Sequence, residues 1–115
     1  ACRTLSAAER DGLLSRLADV RGAAADDYRR LDSRLHLAIA EAAASPSLVP
    51  LVAENRMRLN ALLDQIPLLR RNIAHSDDQH EAVVTAILAG DADAAASAMQ
   101  AHVAGSAALL HGFLD

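Results

Sequence analysis

The chain has 115 residues, 52% of them hydrophobic and 2% aromatic, with a net charge of −4. That length suits a single domain, 1–115, and its lone cysteine, Cys2, excludes an internal disulfide framework. With 27 alanines, 18 leucines, one Tyr and one Phe, the composition excludes collagen, disorder and an ordinary β-sandwich, and points to an all-α fold.

Ser6-Ala7-Ala8-Glu9 is a capping box, in which hydroxyl and carboxylate each satisfy an N–H that the first helical turn leaves unpaired. It predicts a helix through Leu13, Leu14 and Leu17 that ends near Arg21-Gly22. A second helix is expected from Asp26-Asp27, whose charges suit the N-terminal dipole, along Tyr28, Leu31, Leu35 and Ile39 to about Ala44. Ser45-Pro46-Ser47 ends it, with Pro46 placed to start a third helix. That helix carries Leu48, Leu51, Val52, Leu59, Leu62, Leu63 and Ile66 and stops near Pro67. Pro50 falls in its first turn, where no helical N–H bond is lost. Residues 67–75 read as a loop or short turn. Ser76-Asp77-Asp78-Gln79 then reads as a second capping box, opening a helix through Val83, Val84 and Ile87. Gly90 suits a C-cap and Asp91 an N-cap for a last helix, Ala92 to about Leu114. Short pivots at 45–47 and 90–91 predict an antiparallel bundle of about five to six helices.

All 11 basic residues are arginine, set against 15 acids without a clustered basic face, so the charge pattern is not that of a nucleic-acid binder. Arg29-Arg30 and Arg70-Arg71 read as solvated helix faces. There is no apolar run near 18 residues and no signal-peptide pattern, which sets the expectation of a cytoplasmic chain without a membrane segment.

Helical periodicity sorts the five histidines. His80 lies within the stripe Val83, Val84, Ile87, and His102 shares a face with Ala95, Met99, Leu109 and Phe113, so both point inward. His111 is half a turn from His102 and points outward, and His75 precedes the Ser76 cap. On the second helix, Asp32 and His36 are spaced i, i+4 on one face beside the Leu31, Leu35, Ile39 stripe. His80 is 10 residues before Gly90 and His102 12 after it, about 15 and 18 Å from the same turn, hence level with one another. Positions level with Asp32 and His36 on the third helix fall at about 56–60, where Asn55 interrupts the apolar stripe from inside and Arg56 and Arg58 flank it. Each of these residues alone is more often a hydrogen-bonded core, boundary or surface group. Together, three imidazoles and a carboxylate in an aliphatic bundle need mutual satisfaction, and a divalent cation satisfies all four at once. The alternative is a structural bundle whose polar layer is a hydrogen-bond network.

The ordered set Asp32-x3-His36, then His80, then His102 resembles the FCD-type C-terminal domain of GntR-family bacterial transcription regulators, the FadR-like branch. Leu35-His36-Leu37 leading to Ser45-Pro46-Ser47-Leu48, Ser76-x3-His80-x6-Ile87-x2-Gly90-Asp91 and Ala98-Met99-x2-His102 support it across nearly the whole chain. The resemblance implies an effector-binding helical bundle that takes a small organic acid. It makes Asp32, His36, His80 and His102 the ligands of a divalent ion, zinc first, with nickel, iron or manganese as alternatives. Arg58, Arg56 or Asn55 would hold the other end of the carboxylate effector. A homodimer is implied, with DNA reached only through the family's N-terminal winged helix-turn-helix domain. That domain has no counterpart in 1–115, and Ala1-Cys2-Arg3 reads as the tail of a truncated first helix. An enzyme reading is disfavoured: Val84 stands where His-Glu-x-x-His needs its second His, paired Glu-x-x-His motifs are missing, and no Ser or Cys nucleophile sits beside a His.

Overall fold

The computed structural model describes residues 5–43 and 47–114. Among them are five helices and no strand: α1 (Ala7–Arg21), α2 (Ala25–Ala42), α3 (Leu48–Leu63), α4 (Arg70–Leu88) and α5 (Ala92–Leu114). Cys2, the Ala1-Cys2-Arg3 tail and the Ser45-Pro46 pivot lie outside the described residues.

Local chemistry sets the start of α1 and the corner between α4 and α5. The Ser6 hydroxyl accepts from the Glu9 N–H, and Glu9 accepts from the Ser6 N–H, both at 3.1 Å. At the α4–α5 corner, Asp91 N–H donates to Ala86 O and Gly90 N–H to Ile87 O, each at 3.0 Å. Gly90 takes the positive φ of 72° that this paired closure of a helix end requires, a conformation disfavoured for residues with a Cβ. Asp91 then accepts from Ala94 N–H at 3.0 Å and starts α5.

Two helix boundaries and the exposure of one aromatic residue depart from the sequence pattern. α3 ends at Leu63 rather than near Pro67, because the Arg29 guanidinium takes the Leu63 carbonyl at 2.8 Å and Asp64 at 3.3 Å. Arg29 is thus a capping residue rather than part of a solvated face. Ile66 lies past the helix end but is still buried. α4 begins at Arg70, so Ser76 to Gln79 sit inside a helix and do not cap one. Leu68 and Ile73 pack against the core and draw that extra helix in, overriding the local capping signal. Phe113 is 45% exposed instead of facing inward. Counting outward from the Gly90 turn, it stands level with Pro67, beyond the first residue of α4.

α1 packs on α2 and α4, α4 on α5, and α2 on α3. The core therefore lies between α1, α2 and α4, where Leu13, Val20, Leu35, Val83, Val84 and Ile87 meet. α3 and α5 flank it, each held mainly by one neighbour, and their facing sides line a common cleft.

Leu35 is completely buried, whereas Leu51 on α3 is 63% exposed. Leu35→Ala should cost about 2–5 kcal/mol in urea unfolding, and Leu51→Ala should stay within about 0.5 kcal/mol. Equal shifts in the two midpoints would contradict this placement of the core.

Candidate metal centre

Asp32 and His36 stand one turn apart on the core-facing side of α2, because Leu31, Leu35 and Ile39 direct that side inward. His80 occupies the middle of the buried α4 stripe and is 1% exposed. His102, 5% exposed, comes from the facing side of α5. The equal heights expected about the Gly90 turn are realised: the His80 and His102 ring centroids are 4.6 Å apart. His36 lies 5.4 Å from the His80 ring and 5.2 Å from the His102 ring, so three helices contribute one imidazole each to a single point.

The donor atoms converge on one another instead of pairing off. One donor atom from each of Asp32, His36, His80 and His102 lies within 4.8 Å of all the others. Asp32 Oδ1 is 2.9 Å from His80 Nε2 and 3.4 Å from His36 Nε2, while His36 Nε2 and His102 Nε2 are 3.3 Å apart. Ligands about 2.0–2.1 Å from one tetrahedral ion are separated by roughly 3.3–3.4 Å, so these spacings match a shared cation. Close as they are, Asp32 Oδ1 and His80 Nε2 have no hydrogen-bond partner. Buried polar atoms left in that condition are costly, and a cation at their focus removes the cost.

The surrounding groups orient this set. Arg56, 7% exposed, holds Asp32 Oδ2 at 2.7 Å, which leaves Oδ1 for the cluster. Ser33 fixes Arg56 in turn, accepting from its Nε at 3.2 Å and from Asn60 Nδ2 at 2.9 Å. His102 Nδ1 donates to Gln79 Oε1 at 2.8 Å, so Nε2 carries the lone pair that faces the cluster. Burial drives the His36 and His102 pKa values down, His102 to about 4, and the neighbouring imidazoles and Arg56 add to the effect. Both are therefore neutral and able to ligate at neutral pH. Burial alone would raise the Asp32 pKa, but His36, His80 and Arg56 outweigh it and hold the carboxyl well below its usual range.

The three residues expected to grip an effector are separated by the fold. Arg56 is buried, whereas Arg58 is exposed and paired with Glu54 at 2.8 Å one turn away. Asn55, expected inside the bundle, is exposed, because the side of α3 that faces α2 is the one carrying Arg56 and Leu63. All three nevertheless line one cleft of about 570 Å³ between α3 and α5, which reaches His36 and His102. His75 and His111 are exposed, as their positions predicted, although His75 lies on α4 and not in a loop. Sequence reasoning missed Gln79, Ser33 and Asn60. Gln79 was legible, standing one residue before His80 and level with His102 across the Gly90 turn. Tyr28, one turn before Asp32, was assigned to the apolar stripe, yet its buried hydroxyl has no partner and its pKa is pushed up to about 12, mainly by burial.

A family model described as the FCD domain matches residues 1–105. No curated protein and no solved structure matches the chain. Among the described residues no helix is long and apolar enough to cross a membrane.

Two outcomes follow from this geometry. Arg56→Met strands the buried Asp32 carboxylate and should cost about 3–5 kcal/mol in chelated protein, measured by urea unfolding. A neutral result would deny the pair its place in the core. The second concerns acid. In chelated protein the unfolded chain takes protons on its imidazoles as pH falls below 6.5, while folded His36 and His102 refuse them. The unfolded state gains, so the melting temperature should fall steadily from about pH 6.5 to about 4. It should fall further as unfolded Asp32 protonates near 3.8. A melting temperature that rises on acidification through this window would contradict the burial of neutral imidazoles.

Proposed function

The chain belongs to the FCD family, the effector-binding domain type of GntR-family regulators, and on that premise we propose that it is a metal-dependent sensor of a small carboxylic acid. The observation that carries the reading is the convergence of four donor atoms within 4.8 Å, two of them buried without a hydrogen-bond partner. Asp32, His36, His80 and His102 would hold a divalent ion. A donor set of three imidazoles and one carboxylate suits zinc first, with nickel, iron or manganese as alternatives. The ion would supply an electrophilic position for a carboxylate oxygen.

The chain's own residues do the rest. Arg56 neutralises Asp32 from behind and keeps the carboxylate turned toward the imidazoles. Gln79 fixes the tautomer of His102. Asn55 and Arg58, at the exposed side of the α3–α5 cleft, would meet the far end of the effector. Filling this site ties α2, α4 and α5 to one point and α3 to α5 across the cleft. That favours one helix arrangement, which a DNA-binding domain attached to the same protein would sense as a population shift. A homodimer is the assembly in which such a shift would set the spacing of two DNA-binding domains. No catalysis is assigned to the site.

Protein purified without immobilised nickel should carry about one divalent ion per chain in elemental analysis. With metal at a hundredfold excess over its dissociation constant, chelation should lower the melting temperature on the order of 10 °C. His80→Ala should lose the metal and the binding of carboxylates together while keeping its helical circular dichroism. Normal metal occupancy in His80→Ala, or wild-type protein that takes up no metal, would favour a purely structural polar network instead.

A further inference from the structure

We propose that the effector is a monocarboxylic acid with an aliphatic body, its carboxylate at the His36–His102 end and its body in the cleft between α3 and α5. This rests on the metal-and-carboxylate reading above and adds the chemical class of the rest of the molecule. Two clefts flank the cluster, and they differ in size. The one edged by Tyr28, Asn72, Ser76 and Gln79 measures about 110 Å³ and also reaches Asp32 and His102. Leu59, Leu63, Leu68, Ile73 and Leu109 also line it, and at about 30 Å³ per water it has room for only three or four waters, too little for an aliphatic chain of any length.

The α3–α5 cleft, at about 570 Å³, falls inside the roughly 300–1,000 Å³ range of small-molecule sites. Ile39, Val52, Leu59, Leu62, Met99 and Val103 contribute apolar side chains to its wall. Leu62 and Val103 are 43% and 58% exposed, apolar surface that an apolar occupant would remove from water. Polar groups gather at its two ends: largely buried His36, Arg56 and His102 on the inner side, exposed Asn55 and Arg58 on the outer. No described residue lining it is acidic, and since Asp32 already offsets Arg56, an ion held by the cluster would give the inner end the positive charge that favours an anion. A short polyacid would have to press its further carboxylates against the aliphatic wall before reaching Asn55 and Arg58 at the outer edge, which is costly. Arg58 there is already paired with Glu54. An acid with one charged end and one apolar body matches both the inner end and the wall.

Isothermal titration of zinc-loaded protein with acetate, butyrate, hexanoate and octanoate, and separately with malate and citrate, tests this. Affinity should rise about two- to fourfold per added methylene, with hexanoate binding more tightly than malate or citrate. The double variant Leu62→Gln, Val103→Gln alters two exposed wall positions and should keep zinc and the acetate affinity. It should also flatten the series, so that octanoate loses at least tenfold. A flat series in the wild type, tighter malate or citrate, or an unchanged slope in the double variant overturns the aliphatic body and leaves the metal-and-carboxylate reading standing. Failure to take up zinc overturns both, and elemental analysis of the same sample tells the two failures apart.

Discussion

A carboxylate placed among aliphatic side chains must be neutralised from every side, and Asp32 sets that condition for the whole bundle. Its two oxygens are divided between two tasks. Oδ2 is held by the Arg56 guanidinium at 2.7 Å, and Oδ1 faces the imidazoles of His36 and His80. Arg56 must then be buried as well, which turns the polar side of α3 toward α2 and commits Ser33 and Asn60 to holding the guanidinium in place. The exposed pairs Arg58–Glu54 and Arg30–Asp27 carry no such obligation and stabilise their helices by only a few tenths of a kcal/mol each.

The same layer compensates for an uneven architecture. The aliphatic core lies between α1, α2 and α4, while α5 is held mainly by α4 and α3 mainly by α2. Across the remaining gap, α2 and α5 meet through side chains, His36 against His102, with ring planes only 20° from parallel. A contact made by imidazoles across a gap is easier to adjust than one made by interlocked leucines, since rings can rotate where packed aliphatics cannot move without opening a void. A binding event at this layer therefore acts on the least constrained seam of the molecule, where a modest energy can choose between helix arrangements.

Much of this was legible along the chain because it depends on residues close in sequence. The Ser6 capping box, the Gly90–Asp91 corner and the inward aim of His80 and His102 follow from helical periodicity and cap chemistry. The i, i+4 stacking of Asp32 and His36 follows in the same way. Counting residues outward from a hairpin turn even placed Arg56 at a height where it meets Asp32 of α2. The errors share a different origin. The Ser76 box looks like a helix start, but Ile73 packs against the core from within a longer α4, with Leu68 packed just ahead of that helix. Arg29 looks like one of a solvated pair, but the end of α3 arrives beside it and presents the Leu63 carbonyl, which accepts from its guanidinium.

The class of fold, the helices in outline and the four residues of the candidate centre are readable along the chain, because the spacing of apolar and polar positions along a helix is a local property. Tertiary structure decided which polar neighbour serves which ligand, that Arg56 is buried while Arg58 and Asn55 face solvent, and that a large apolar cleft opens beside the imidazoles. Those outcomes depend on how far each helix is rotated about its axis when it docks. That rotation is set by contacts between residues distant in the chain, and chiefly by the need to leave no charge buried alone.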